Sequence, residues 1–264
     1  MNNTDTTPPV LILTMKWGTL YGPEYVNNLA RGVARHLSRP HRFICFTDDT
    51  SDLIPGIETY PLPKLGLPDG LGDTRWQKLA LFAPELFDLK GTALFLDLDL
   101  VILDDLEVFF NDDAPFRIIR DDTLFRAKPL RALNPKRDSF LASVGNSSVF
   151  RYEIGAHSYI LENFVAAPEV ATAQFQISQQ YQTAQLAENG NLNYWPEEWC
   201  VSFKNRCVPR GIKSYFADPT LPNGAHIVVF AGSPKMHDAL NGHGSRLHRR
   251  IGNVDWLRNA WEAV

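Results

Sequence analysis

Two aspartates stand one residue apart in an otherwise apolar run, ALFLDLDLVIL, at positions 93–103. Burying an unpaired carboxylate is costly, so Asp97 and Asp99 require a compensating partner. If the run is one strand, its side chains alternate between two faces, and both carboxylates project from the same face. Hard oxygen ligands of this kind suit Mg²⁺ or Mn²⁺. The pattern predicts a divalent-cation site; the alternative is two solvated aspartates at a strand end.

Polar or glycine-containing segments follow three other predicted strands: Thr14–Tyr21, Thr47–Asp49 and Gly232–Lys235. Binding sites of open α/β sheets lie beyond the carboxyl ends of the strands, so these segments are expected near the aspartates. In FAGSPK, Gly232 offers free backbone N–H groups beside Lys235, an arrangement that suits a phosphate. Together the motifs predict a site for a metal-bound diphosphate.

The elements that must position these residues alternate between strand and helix. Residues 10–15 predict a buried strand, 22–37 an amphipathic helix and 42–49 a second strand, which is a right-handed parallel crossover. A helix is predicted over 73–87, with a kink or break at Pro84. Further strands are predicted near 57–60 and at 93–103, 116–119, 147–152 and 227–230, and helices over most of 160–186 and at 254–264. The predicted fold is α/β, with a mixed, mainly parallel central sheet flanked by helices, in a single domain.

Composition and charge argue against several classes of protein. The net charge of −4 over 264 residues disfavours a nucleic-acid binder, which usually carries a basic excess. The three cysteines form no CxxC pair, so we expect no zinc site and a reducing compartment. The first twenty residues lack the pattern of a signal peptide, and no apolar run approaches the roughly 20 residues that cross a bilayer. These features predict a cytoplasmic protein.

The C-terminal segment carries a basic cluster before two tryptophans. Arg246, Arg249 and Arg250 precede Trp256 and Trp261, an order compatible with peripheral contact with a membrane surface. A helix that packs on the rest of the domain is the favoured alternative.

The ordered set of motifs over about residues 8–240 resembles the GT-A glycosyltransferases, especially the glycogenin-like family 8 enzymes and related bacterial transferases. TALFLDLDLVILDDLEVFF resembles their metal-binding strand, which implies Asp97 and Asp99 as metal ligands. RWQKLALF resembles the segment whose Lys or Arg approaches the sugar nucleotide, which implies Lys78 in that role. The resemblance divides the chain into a nucleotide-binding part, about 8–110, and an acceptor-side part, about 111–264.

Two later motifs extend the resemblance. GNSSVF resembles the family's asparagine-containing turn, which implies that Asn146 and Ser147 lie near the donor sugar. FAGSPK resembles the C-terminal HxGxxKP pattern, which implies that Gly232 and Lys235 contact the diphosphate.

The sequence also departs from the family pattern. The places of the histidine that usually acts as a third metal ligand hold Val229 and Ala231, which leaves His237 as the candidate third ligand. SQQY offers Gln179 in the aspartate place and Gln180 in the glutamine place of an Asp-Gln pair that faces the sugar.

The resemblance implies metal-dependent transfer of a sugar from a nucleotide sugar, in particular a UDP-sugar, to a glycan or glycolipid acceptor in polysaccharide synthesis. It also implies retention of anomeric configuration, and because glutamine is a poor nucleophile we expect front-side attack rather than a stable covalent intermediate. The predicted donor-binding residues are Thr14, Lys16, Tyr21, Lys78, Asp97, Ser147, Gly232 and Lys235; the predicted catalytic residues are Asn146, Gln179 and Gln180; the predicted metal ligands are Asp97, Asp99 and His237.

Two other functions fit parts of the sequence. DLDLV matches the signature of haloacid-dehalogenase-type phosphatases, which use the first aspartate as nucleophile and the second as acid/base. In those enzymes the signature normally follows the first strand, whereas here it follows several predicted elements. The other alternative is a degenerate transferase that binds a sugar nucleotide or glycan without turnover, for which Ala231 and Gln179 argue.

Overall fold

The structure is a computed structural model that describes residues 8–67, 74–122, 135–209, 213, 216–244 and 251–262. Its central sheet contains β1 (Val10–Lys16), β2 (His41–Thr47), β3 (Ile57–Tyr60), β4 (Thr92–Leu96), β6 (Phe116–Arg120) and β7 (Gly145–Glu153). The strand order is β3-β2-β1-β4-β7-β6, and β7 alone runs antiparallel to its neighbours. The prediction of a mixed, mainly parallel sheet is confirmed.

A second sheet of three short strands was not predicted. It contains β5 (Leu100–Ile102), β8 (Cys200–Ser202) and β9 (Ile227–Val229) in the order β5-β9-β8. β9 runs antiparallel to β5 and parallel to β8. Only pairing between distant parts of the chain defines strands this short, so a local pattern cannot identify the sheet.

Helices flank the central sheet. They are α1 (Pro23–His36), α2 (Pro135–Ala142), α3 (Tyr159–Ala166), α4 (Pro168–Gln174), α5 (Ser178–Glu188), α6 (Met236–Leu240) and α7 (Asp255–Glu262). Two 3-10 helices cover Thr74–Phe82 and Glu107–Phe110, and a π-helical turn covers Phe203–Cys207. The helical prediction for residues 160–186 is confirmed as three separate helices.

The prediction of one continuous strand over 93–103 is wrong. β4 ends at Leu96, and β5 begins at Leu100 in the second sheet. Asp97 N donates to Ser148 O on the central sheet (2.9 Å), while Asp99 O accepts from Phe230 N, next to β9 (2.8 Å). The chain therefore passes from one sheet to the other at the aspartate pair. The alternation of faces within a single strand does not position these carboxylates.

The helix predicted at 73–87 is present, but it is shorter and of the 3-10 type. Residues 74–87 of this segment are described; Thr74–Phe82 is a 3-10 helix, and it ends before Pro84, where the break was expected. Its buried Trp76, Leu79 and Phe82 are spaced by three residues, and such residues align along a 3-10 helix. The apolar pattern fits both helix types.

Two hydrophobic cores lie on opposite faces of the central sheet. Leu94 and Leu96 of β4 pack with α1 and the second sheet, whereas Phe95 packs with the 3-10 helix, α3 and α5. The alternation predicted for residues 94–96 is therefore confirmed.

The C-terminal helix α7 packs on the core through its apolar face. Leu257 and Trp261 are buried, and the rings of Trp261 and Tyr25 of α1 lie 5.1 Å apart. Arg246, Arg249 and Arg250 lie outside the described residues. Across the described ranges, none of the helices combines the length and apolar character needed to cross a bilayer.

Candidate active site

The order of the central sheet creates a crevice at the carboxyl ends of β1 and β4. From β1 the chain continues outward to β2 and β3, while β4 lies on the other side of β1, so this is the point where the strand order reverses. Ligands of open α/β sheets bind at such a point. A cleft of about 320 Å³ opens there, lined by Lys16, Trp17, Tyr21, Lys78, Asp97 and Asp99 among others. The structure thus brings together six residues that come from three separate segments of the chain.

Asp97 is paired with Lys78 of the 3-10 helix. Lys78 Nζ lies 2.6 Å from Asp97 Oδ2 and also donates to the carbonyl oxygen of Ser147 (3.2 Å). Burial raises the pKa of Asp97 above its usual value; Lys78 opposes the rise, and the charge of Asp99 adds to it. The Ser148 side chain bonds the Asp97 carboxylate and lowers its pKa, a contact that the sequence did not predict.

Asp99 is held by a tyrosine and a second lysine. Tyr21 donates its hydroxyl to Asp99 Oδ2 (3.1 Å) and accepts from Lys235 Nζ (2.6 Å), and Lys235 Nζ lies 3.4 Å from the same carboxylate oxygen. Burial raises the pKa of the Tyr21 hydroxyl, and the charge of Asp99 raises it further. Tyr21 therefore stays protonated and connects the lysine to the aspartate.

The two carboxylates fit a divalent ion only with help from a bound ligand. Within the described ranges no group of three or more His, Cys, Asp or Glu side chains could hold a metal. His237 does not join the aspartates: its Nδ1 is hydrogen-bonded to the Tyr25 hydroxyl, and its ring packs near Trp261. Mg²⁺ is often bound through one or two carboxylates plus substrate phosphates. Asp97 and Asp99 suit an ion of that kind when a diphosphate supplies further oxygens.

The end of β1 contributes one side of the cleft. Lys16 is buried and lies 3.6 Å from Asp49 Oδ2, while Asp48 Oδ2 accepts from Gly18 N (3.1 Å). Thr14 is fully buried within β1, and its hydroxyl has no hydrogen-bond partner in the described part of the chain. Of the predicted residues in this segment, Lys16 and Tyr21 line the cleft and Thr14 does not.

The start of β7 lies at the same sheet edge. The Asn146 side-chain oxygen accepts from Ser148 N (2.9 Å), and buried Ser147 offers its carbonyl to Lys78. Both predicted residues therefore stand next to Asp97 along the edge, although neither side chain lines the cleft.

The two predicted glutamines of α5 differ in environment. Gln179 is half-buried, and its Nε2 donates to Asp121 Oδ2 (2.8 Å) at the end of β6. Gln180 is buried, and its Oε1 accepts from Gln176 N (3.2 Å). β6 and β4 are separated by β7 alone, so Asp121 lies two strand spacings, about 10 Å, along the edge from the aspartate pair.

One lysine near the cleft escaped the sequence prediction. Lys204, in the π-helical turn, donates its Nζ to the carbonyl oxygen of Ala231 (2.8 Å). Ala231 directly follows Phe230, the residue that bonds Asp99. Pairing of β8 with β9 brings Lys204 there, and no local signal in the segment SFKN reveals that pairing.

Fold and cleft together define an open α/β protein with a cleft lined by charged side chains at the reversal point of its sheet. Solved structures of similar fold include glycosyltransferases. The galactosyltransferase LgtC in complex with donor and acceptor sugar analogues has a TM-score of 0.64 and 13% identity, over 96% of this chain and 96% of that one. An active-site glutamine-to-glutamate mutant of LgtC has a TM-score of 0.59 and 14% identity, over 86% and 89%.

The bifunctional glycosyltransferase WbbM, in its apo form, has a TM-score of 0.59 and 13% identity, over 89% of this chain and 48% of that one. No family model matches the sequence, and no curated protein matches it. At these identities the likeness establishes the fold, which is of the GT-A glycosyltransferase type.

Proposed function

We propose that this protein is a metal-dependent glycosyltransferase that moves a sugar from a nucleotide sugar, a UDP-sugar in particular, to a glycan or glycolipid acceptor. The observation that carries the proposal is the pair Asp97 and Asp99 at the reversal point of the sheet, each in contact with a lysine, Lys78 or Lys235. The GT-A-type fold supports it. The family 8 character and a role in polysaccharide synthesis remain part of the proposal.

The main catalytic requirement is to stabilise the charge that develops on the leaving diphosphate. Asp97 and Asp99 would hold the divalent ion, which when bound acts as a Lewis acid toward phosphate oxygens. Lys235, whose ammonium is shared by Tyr21 and Asp99, is the residue that we expect to contact the diphosphate beside Gly232. Lys78 keeps Asp97 in place through their 2.6 Å contact.

Acceptor attack is proposed to occur on the side of the cleft toward β7 and β6. Gln179 and Asp121 present a hydrogen-bonded pair at that end of the sheet edge. An amide oxygen can stabilise an oxocarbenium-like transition state without forming a stable covalent bond, which agrees with retention through front-side attack. Gln180 is buried and its Oε1 accepts from Gln176 N, whereas half-buried Gln179 uses its Nε2 on Asp121, so Gln179 is the more accessible of the two.

The proposal is tested with a panel of nucleotide sugars and Mn²⁺, by measuring nucleotide release. We expect slow donor hydrolysis with at least one donor, and a loss of about 100-fold in Asp99→Asn, in the range for removal of an electrostatic stabiliser. Asp113→Asn, which changes an exposed carboxylate on a loop, is the matched control and should behave as the wild type.

Two outcomes would contradict the proposal. Release of inorganic phosphate from phosphomonoesters, without nucleotide release, would identify the phosphatase alternative. Tight binding of a nucleotide sugar without turnover, even with glycan acceptors present, would identify a binding protein. The sheet already favours the transferase, because the DxD sequence follows the fourth strand along the chain rather than the first.

A further inference from the structure

Lys204 stands out among the lysines around the cleft because none of the described residues is an anionic partner for it. Lys78 and Lys235 each contact an aspartate of the DxD pair, and Lys16 contacts Asp49. None of the ion pairs formed between described residues includes Lys204, although the residue is half-buried. A partly desolvated charge without a counter-charge is unfavourable, so this ammonium is suited to receive an anion.

The position of Lys204 is fixed by the second sheet. β8 and β9 pair side by side, with Ser202 opposite Val229, and the rings of Phe203 and Phe230 stack at 4.6 Å directly after that pair. The next residue along each chain segment makes the contact between Lys204 Nζ and Ala231 O. The ammonium is thus held one residue beyond the bond from Phe230 N to Asp99 O.

The adjacent backbone leaves room for the ammonium. Gly232 has a φ of +85°, and a Cβ atom built at this glycine would lie 3.2 Å from Lys204 Nζ. An ammonium has three donors, and among the described residues Lys204 uses one of them, on Ala231 O. The remaining donors are available beside a glycine whose own backbone can approach a ligand closely.

Charge balance supplies the second argument. The DxD carboxylates and their two lysines neutralise each other, so the positive charge that faces an incoming diphosphate must come from the divalent ion or from a further cation. Lys204 is such a further cation, near Ala231, one of the two positions where the family resemblance predicted a histidine ligand. A fixed ammonium there would add to the positive charge that the divalent ion offers to the diphosphate.

We propose that Lys204 is an anion-binding residue that contacts the diphosphate of the donor, beside Gly232, and this assignment rests on the proposed function. The recognised chemistry is that of a pyrophosphate group. The residue acts by direct charge-assisted hydrogen bonding, which does not depend on the identity of the base or the sugar.

The first test measures the binding of inorganic pyrophosphate and of UDP by calorimetry, with and without Mn²⁺. Lys204→Met, which keeps the length of the side chain and removes its charge, should raise the dissociation constant for both about tenfold. Lys204→Arg should stay within about threefold of the wild type. Lys90→Met changes an exposed lysine at the opposite edge of the sheet and should have no effect.

A second measurement needs no variant. Pyrophosphate should protect Lys204 of the wild-type protein from acetylation by acetic anhydride, as read by peptide mass spectrometry, while Lys90 should be acetylated at an unchanged rate. Equal pyrophosphate affinity in the wild type and Lys204→Met, or the absence of protection, overturns the proposal. Lys204 would then have only a structural role, through its hydrogen bond to the Ala231 carbonyl oxygen.

Failure of this proposal can be told apart from failure of the proposed function. Donor hydrolysis with an unchanged KM in Lys204→Met would overturn the role of Lys204 and keep the transferase. Pyrophosphate binding that depends on Lys204, with no turnover of any nucleotide sugar, would support the anion site and overturn the transferase.

Discussion

Lys78 and Asp97 form the most confined ion pair of the cleft. Their side chains are 18% and 23% exposed, compared with 32% and 40% for Arg42 and Glu58 at the edge of the same sheet. Removing one partner of a buried pair leaves an uncompensated charge, and this cost grows with burial. The two pairs therefore offer an internal comparison between a confined and an exposed contact.

Lys78→Met is expected to lower the free energy of unfolding by about 1–2 kcal/mol, less than for a fully buried pair because both groups retain some solvent. Adding Asp97→Asn to Lys78→Met should recover part of this loss, because the second substitution removes the unpaired carboxylate. A double-mutant cycle by urea unfolding measures the coupling, with Arg42 and Glu58 as the reference cycle. A coupling no larger than that of the reference pair would contradict the expectation.

The sequence indicated most of the residues of the cleft but few of their partners. Asp97, Asp99 and Lys78 were predicted together because their types and order are informative. The contacts of Tyr21 with Lys235 and of Lys204 with Ala231 join residues 214 and 27 positions apart, respectively. Such contacts depend on how distant strands pair, and no local pattern contains that information.

Among the elements, β7 carries Ser147 and Ser148, which bond Lys78 and Asp97, and it begins at a tightly packed glycine. A Cβ atom added at Gly145 would lie 2.7 Å from Ile118 Cδ1 and 3.1 Å from two further carbons of that side chain. β6 and β7 also shift register between Ile118 and Ile119, so the packing there is irregular. A side chain at position 145 must displace the strand end or its neighbour.

Gly145→Ala should destabilise the protein by about 1–3 kcal/mol, the usual cost of overpacking. It should also reduce donor turnover, because the strand end holds Ser147 and Ser148 against Lys78 and Asp97. Thermal unfolding and nucleotide release measure the two effects.

Gly32→Ala is the matched control for this substitution. Gly32 lies inside α1, where a Cβ atom would meet Ile102 at an ordinary 3.4 Å. Alanine is the better helix former by about 1 kcal/mol, so this variant should be as stable as the wild type or more so. Equal destabilisation by both substitutions would show that contact with Ile118 is not the cause.

The order of most elements was predictable, whereas two of their transitions were not. Apolar runs identified β1, β2, β6, β7 and β9, and the periodicity identified α1 and α7. The break between Leu96 and Leu100 escaped prediction because leucines continue on both sides and are buried in either sheet. The 3-10 geometry of Thr74–Phe82 escaped it because the same residues also fit an α-helix.

At the scale of the whole molecule, stability toward acid depends on a histidine buried far from the cleft. His157 is 3% exposed and donates through Nε2 to the carbonyl oxygen of Pro115 (3.0 Å). Burial lowers the pKa of His157 below 6.5, and the bond to Pro115 opposes this only in part. The folded protein therefore holds this ring neutral at a pH where the unfolded chain binds a proton.

Stability should fall as the pH is lowered below about 6.5, because the unfolded state then takes up a proton that the folded state does not. The free energy of unfolding, measured in urea between pH 7 and pH 5, should depend less on pH in His157→Gln than in the wild type. His243→Gln, at an exposed position, should keep the wild-type slope. Parallel slopes in all three proteins would contradict this assignment.

The chain passes between two sheets at Asp97-Leu98-Asp99. The distance between the two carboxylates therefore depends on how the two sheets are placed relative to each other. The backbone of Asp97 is hydrogen-bonded to Ser148 of the central sheet, that of Asp99 to Phe230 beside the second sheet, and buried Leu98 lies between them. A small displacement of one sheet relative to the other would therefore change the distance between the two carboxylates. Preference between a small ion such as Mg²⁺ and a larger one depends on that distance. We therefore expect an apolar substitution at Leu98 to change the ion preference of the site while both carboxylate ligands are kept.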